Sequence, residues 1–570
     1  MMSIVKQSNN IYKGMANGLC KLGVLTLAST LTIPAMAQMD NTVEVETSVT
    51  PVVKDANKIN VLPEVVESNA KHNKVNYSTA MMQTKKYMFT PVDMMSAESS
   101  GKGANKGFVS LGAGLPGAVD LRGAYGFNIS RNDVLGIHAS LGGFNGNADN
   151  KDIGNGTDYK SRFYTTKAGV DYTHKYAHGL SELFVKFNLE SQVFNYQWPF
   201  SSLTDKQHNS LGGVSVGTTD YKVESFRISG MFGYDFFNQK YLTNYGDKYS
   251  EGMIHADVDL GYYINEENSL NVDLGLVNSS YSTDGVKGYT HGHIVPYYKF
   301  EDYDMSLKIG LFVGSNGVAP DLRIDYRLSE YVNVYAQAVG YDGETGFKVF
   351  NALHPYFVLP SYTSTGSDYK IETEFHKIDG KIGLRFRTEK GWAGDINLGY
   401  DKTDNRAELT PIVDNANFAA PEVRFVDGGR FYVNLDINYN YEDKLKFSLN
   451  NQFNSWSVDK KMKNTVIKTR PVIDMDWNVD FRITKGLFAG VDWKLQSYSK
   501  PEKKVAGNSF VSYYERPVTC DFGLNAHYTF SPVPLSIYFN VDNLFNTKYD
   551  RFYGYRSIGT NFMAGVALTF

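Results

Sequence analysis

Residues 535–570 read LSIYFNVDNLFNTKYDRFYGYRSIGTNFMAGVALTF. Near the start of this stretch Leu535, Ile537, Phe539 and Val541 alternate with Ser536, Tyr538, Asn540 and Asp542. At its end Phe562, Ala564, Val566, Leu568 and Phe570 alternate with Asn561, Met563, Gly565, Ala567 and Thr569. Successive side chains on a strand point to opposite faces, so each segment has one apolar face and one that is polar or small. A soluble sheet does the same. The pattern recurs through most of the chain and runs to a C-terminal Phe, which points to a membrane-spanning β-barrel.

Composition agrees. Forty Tyr, 35 Phe and 52 Gly favour strands and interfacial aromatic belts over helices. A mean hydropathy of −0.34 is too polar for a helical membrane protein. Beyond the N-terminal leader there is no apolar run of roughly 18 residues, the length a spanning helix needs. A barrel escapes that requirement because only alternate residues of its strands face lipid.

Residues 1–37 read as a signal peptide. Lys6, Lys13 and Lys21 precede an apolar stretch over 22–35, and Ala35, Met36 and Ala37 make a small-x-small cleavage site. Loss of these three lysines takes the formal charge from −4 to −7, a mild acidity that gives no reason to expect nucleic acid as a partner. Cys520 is then the one remaining cysteine, so no internal disulfide forms. It shares the register of Val518, Phe522 and Leu524, which reads as a buried, inert thiol.

Residues 38–105 form a polar N-terminal segment, periplasmic or lumenal, interrupted by Pro51, Pro63 and Pro91. The barrel is assigned to 106–570. From Gly107 onward, alternation and breaker-rich connections mark about 22 strands. Short turns, such as 131–133, 265–268 and 441–444, alternate with longer connections. That is the habit of outer-membrane barrels, with turns at the periplasm and loops outside. The longest connections are read at 343–377 and 404–423. The first is unusually aromatic, with Phe347, Phe350, Tyr356, Phe357 and Tyr362; it either folds into the barrel mouth or contacts a partner. Trp198, Trp392 and Trp456 fall near strand ends, where interfacial belts lie.

The run Val541-Asp542-Asn543-Leu544-Phe545-Asn546, then Tyr549 and the aromatic-ended last strand, resembles the close of a TonB-dependent outer-membrane receptor barrel. The resemblance covers 107–570 and implies a receptor-like barrel that moves or gates a solute across the outer membrane. Such receptors carry a globular plug. Here 38–105 is shorter than a plug and lacks its glycine- and arginine-rich motifs, so it reads as a reduced plug or a linker. Residues 40–45 resemble a TonB box only weakly, which leaves coupling to TonB open. The fold expectation is therefore all-β, a large transmembrane antiparallel barrel lacking a full-length plug. Outer-membrane lipid surrounds it, and a surface lipoprotein or periplasmic protein is the candidate partner. The competing reading is a non-transporting barrel that serves as a structural or assembly partner of surface or periplasmic proteins.

Candidate site residues follow from strand register. Arg323, Arg327, Lys381, Arg385 and Arg387 take inward positions on the twelfth and fourteenth strands. Asp436, Asp474, Asp476 and Asp480 take inward positions on the sixteenth and eighteenth. A basic wall facing an acidic one would set a field across a wet lumen; alternatively the charges pair with one another or with 38–105. His291 and His293 lie two apart, but Gly292 and Pro296 suggest a loop end and no third metal ligand is in view. No nucleophile, acid/base pair or phosphate-cradling loop appears, so the chain reads as neither an enzyme nor the holder of a cofactor.

Overall fold

The computed structural model describes residues 107–148, 159–176, 181–195, 206–240, 249–283, 285–357, 359, 369–414, 417–442, 444–459, 470–498, 504–506, 509–511, 516–530, 533–552 and 555–570. The expected signal peptide, the 38–105 segment, Trp198 and Tyr362 lie outside the described residues.

Twenty-two strands close into one barrel. They are β1 Gly107–Leu115, β2 Ala118–Asn128, β3 Asp133–Ala148, β4 Tyr159–Lys175, β5 Glu182–Asn195, β6 Lys206–Val223, β7 Phe226–Lys240 and β8 Tyr249–Tyr263. Then come β9 Asn268–Tyr281, β10 Tyr289–Glu301, β11 Met305–Gly314, β12 Gly317–Ser329, β13 Val332–Asp342, β14 Phe375–Arg387 and β15 Trp392–Asp414. The last are β16 Asn417–Tyr441, β17 Leu445–Val458, β18 Pro471–Arg482, β19 Leu487–Tyr498, β20 Thr519–Thr529, β21 Leu535–Asp542 and β22 Asn561–Thr569. Each pairs antiparallel with its sequence neighbours, and β1 pairs with β22 from Phe108↔Thr569 to Leu115↔Phe562. Reciprocal backbone bonds between Gly107 and Phe570, at 2.9 and 3.0 Å, complete the ring.

Both barrel ends, Gly107 and Phe570, lie at one rim with the short turns; the longer connections lie at the other. We call these the turn end and the loop end. The faces separate as alternation requires. On β12, Val318, Leu322, Ile324, Tyr326 and Leu328 are exposed, while Asp321 is 5% exposed on the opposite face. The exposed face carries an aromatic belt toward the turn end. Trp392 stacks on Tyr439 at 4.3 Å, Tyr528 meets Phe530 edge-on at 4.8 Å, and Tyr125 stacks on Phe570 at 5.7 Å. Ring belts of this kind sit where hydrocarbon meets water.

Three expectations need correction. Residues 404–423 are not a loop: β15 and β16 continue through them as a hairpin to Asp414 and Asn417. The breakers that read as loop are absorbed by ladder irregularities, Asn405 (φ +54) between Thr403 and Arg406 and Pro411 between Thr410 and Ile412. His291 and His293 lie inside β10 rather than at a loop end, on its inward face. Trp456 does not join an interfacial belt; it shares the inward register of Gln452 and Asn454, and three guanidinium groups lie over its ring.

The closing seam depends on small residues. Tyr538 of β21 leans into the lumen, where its hydroxyl accepts from Ser110 at 3.3 Å, and a methyl group at either Gly112 or Gly565 would overlap it. Gly565→Val is expected to lower the heat-resistant folded fraction on SDS gels well below that of the wild type. Ala564→Val, one residue away on the lipid face, should leave it unchanged.

Candidate functional site

The inner surface and its loop-end opening form the candidate site. The connection between β13 and β14 turns into the barrel at Gly346, whose φ of +153 few other residues adopt, and forms the short helix α1, Phe347–Leu353. A methyl group on Gly346 would strike the Glu251 carboxylate, which accepts the Lys348 backbone N–H at 3.1 Å. Phe347, Phe350 and Phe357 are fully buried. They pack on Phe237 and Tyr249 from one arc of the wall and on Ala407, Leu409 and Val423 from the β15–β16 hairpin. Burying a Phe side chain is worth about 1.5–3 kcal/mol, so three of them make a firm seat.

Polar groups complete the seat. Asn209 donates to Asn351 at 2.7 Å, Asn351 to Gln192 at 3.2 Å, and Gln239 to the Pro355 carbonyl at 3.0 Å. Tyr356 donates to the Asn195 carbonyl at 2.8 Å, and the Leu359 N–H to Tyr249 at 3.1 Å. Lys348 bridges Asp235 at 3.0 Å and Glu344 at 3.6 Å. Burial works against the ammonium, yet Glu344 and Asp235 raise its pKa above the ordinary lysine value. A raised lysine contributes fully below its unfolded pKa and loses that contribution only as pH climbs through the folded one, so this latch persists through neutral pH. Beside it Tyr356 joins Phe144, Phe163 and Phe194, with Phe552 and Ile558 from the β21–β22 connection packed against them. Arg551 lies over Phe144 and Phe163 at 4.5 Å each, its pKa pushed down to about 10 by burial and still far above neutral. Of the five aromatic residues singled out from this connection, the four described ones therefore face the barrel interior.

Below this lid the wall is polar. Arg323 pairs with Asp321 at 3.2 Å, and Lys308 pairs with the same carboxylate at 2.5 Å. Arg385 bridges Asp325 at 2.8 Å and Asp395 at 3.2 Å while lying over the Tyr335 ring at 4.0 Å. Lys381 approaches the same ring at 6.0 Å. Arg327 lies over Tyr303 at the turn end, and Arg387 is exposed there at the end of β14. The wall read as basic thus carries its own acids. On the other side Asp474 accepts from Gln496 at 3.0 Å, and Asp480 lies opposite Lys446 and Gly490. One register row, Arg385–Asp395–Asp436–Asn450–Asp476–Lys494, runs unbroken from β14 to β19 and joins the two sets.

Two features escaped the sequence reading. His376 is held between Asp401 at 2.8 Å and Glu374 at 3.2 Å and stacks on Tyr341 at 4.3 Å. Arg406, Arg430 and Arg470 converge on the Trp456 ring at 4.9, 5.3 and 5.4 Å, with Glu408 shared between Arg406 and Arg470. Neither has a local signature, since the partners come from different strands and the 404–423 register was read as loop. Among the described residues no three His, Cys, Asp or Glu side chains converge as a metal site.

No protein-family model matches the sequence, and comparison with curated proteins finds no relative. Solved structures do match in fold. The FrpB iron transporter from Neisseria meningitidis is 9% identical with a TM-score of 0.61, covering 81% of this chain and 81% of that one. The siderophore receptor PirA from Acinetobacter baumannii is 11% identical at 0.58, covering 82% and 81%. A variant of the ferric enterobactin receptor PfeA from Pseudomonas aeruginosa is 14% identical at 0.57, covering 81% and 80%. The resemblance to TonB-dependent receptors carried by 541–570 therefore holds at the level of the 22-stranded barrel.

The lid seat makes a specific prediction. Gly346→Val should unseat α1 without unfolding the barrel, so limited proteolysis should cut within 343–374 much faster than in the wild type. Phe347→Ala, costing about 3–5 kcal/mol by the usual penalty for an emptied Phe site, should do the same while the 22-strand core stays protease-resistant.

Proposed function

We propose that this chain is an outer-membrane transport barrel that moves or gates a solute, with its loop-end opening shut by residues 343–359. One observation carries the reading. A ring of this size encloses more space than strand side chains fill, and here a single connection crosses the mouth and buries its rings against two separate arcs of the wall. The matching receptors and transporters support a transport role at the level of fold. Those neighbours are named for iron, siderophore and enterobactin, and the lumen of this chain is polar and of mixed charge. Coupling to TonB would act through 38–105, where residues 40–45 weakly resemble a TonB box.

Planar-bilayer conductance separates this proposal from the scaffold reading. The mature chain, Phe347→Ala/Phe350→Ala, a deletion of 38–105 and the combination are compared. The proposal expects a silent mature chain and large conductance steps once the lid alone, or the lid together with 38–105, is released. Silence in all four, with the barrel folded, would contradict transport. Co-purification of one stoichiometric lipoprotein or periplasmic protein would then favour the assembly partner.

A further inference from the structure

The lipid face of β7–β11 is grooved. Pro296 stands in the middle of β10 and supplies no N–H, and the ladder to β11 pairs Ile294↔Val313 and Tyr297↔Gly310 with nothing between them. Beside Pro296 lies Val272, its register partner on β9, and beyond that Leu260 of β8. These short side chains form the floor of a groove of about 640 Å³, rimmed by Tyr262, Tyr298 and Ile309. Its volume falls within the roughly 300–1,000 Å³ of ordinary small-molecule sites, and its lining is nearly all apolar.

The groove opens toward the turn end, because Tyr262 and Leu270 flank the 264–267 turn. The rim of that turn and of 302–304 is acidic: Glu266, Glu267, Asp302 and Asp304 are all exposed, and neither turn contains Lys or Arg. The nearest cations among the described residues are engaged on the lumenal register. Arg227, which reaches the groove lining from that side, bridges Asp220 at 3.2 Å and Asp259 at 2.8 Å, Lys222 lies over Tyr263 at 4.9 Å, Lys299 pairs with Glu301 at 2.5 Å, and Arg327 lies over Tyr303 at 4.5 Å. An apolar slot in the hydrocarbon zone, ending under four carboxylates, matches one amphiphile better than others. Its tail is an acyl chain and its head carries a positive charge.

We propose that this groove seats one acyl chain of an aminophospholipid from the leaflet at the turn end, with its ammonium group over Glu266, Glu267, Asp302 and Asp304. The same carboxylates repel a purely anionic headgroup, and because they lie at the membrane surface the preference weakens as salt rises. The site rests on the membrane-spanning fold and not on transport, so the conductance experiment leaves it untouched.

The test uses the full mature chain in nanodiscs of mixed phosphatidylethanolamine and phosphatidylglycerol, transferred to mild detergent and weighed by native mass spectrometry. One retained phosphatidylethanolamine per barrel is expected. Val272→Trp, which fills the floor, should lose it, while Val214→Trp on the lipid face of β6 should keep it. Neutralising the rim with Glu266→Gln, Glu267→Gln, Asp302→Asn and Asp304→Asn should let phosphatidylglycerol compete equally. A diazirine-tailed phosphatidylethanolamine on the unmodified chain gives a readout that needs no variant, and its cross-links should concentrate on β8–β10. Retention in Val272→Trp at the wild-type level, no retained lipid, or cross-links spread evenly around the barrel would overturn the proposal and leave annular lipid only.

Discussion

Everything in this molecule depends on the ladder between β1 and β22. Inside a bilayer no water is available for unpaired N–H and C=O groups, each of which would cost several kcal/mol, so a sheet can cross only if it has no edge. The eight-residue register from Phe108↔Thr569 to Leu115↔Phe562 removes the last edge. It joins residues 447 to 461 positions apart in sequence, so it gains nothing from local structure. Small residues at Gly112 and Gly565 let Tyr538 fill the inner side of the seam.

Closure creates a second constraint. A ring of 22 strands is too wide to be filled by its own side chains. The β13–β14 connection meets that constraint at the loop end with rings rather than charges. Its seat draws on β5–β10 and on the raised β15–β16 hairpin, so the hairpin's extra length and the lid's aromatic content belong to one device. Beneath the lid, charges pair along strands and between adjacent or next-but-one strands instead of facing one another across the lumen. The Arg385 bridge to Asp325 and Asp395 is the clearest case.

The barrel is legible because lipid writes a period of two into every strand, and the count of about 22 agrees with the observed ring, although the strands on either side of 404–423 run well into the segment read as loop. The same period sets the register on which Arg323, Lys381, Arg385 and Asp474 are placed. What was not legible depended on partners remote in sequence. Residues 404–423 carry Asn405 and Pro411, which read as breakers locally but lie at bulges once the hairpin packs on the lid. Trp456 near a strand end looks like an interfacial anchor until the three arginines that surround it are brought in from β15, β16 and the start of β18. The aromatic run from Phe347 to Phe357 announced a buried surface without saying whose, and the structure answers with Phe237, Tyr249 and Leu409.

The central claim is that a closed barrel carries its own lid in the loop-end mouth. The most direct measurement is cysteine reactivity in intact cells, with a membrane-impermeant maleimide applied from outside to Ala407→Cys, a small buried position of the seat against which the lid packs, and, as the exposed reference, Lys370→Cys, both in a Cys520→Ser background. The account predicts rapid labelling at 370 and protection at 407 until the lid is unseated. Equal rates at the two positions would mean that the connection stands away from the barrel, and the account would be wrong.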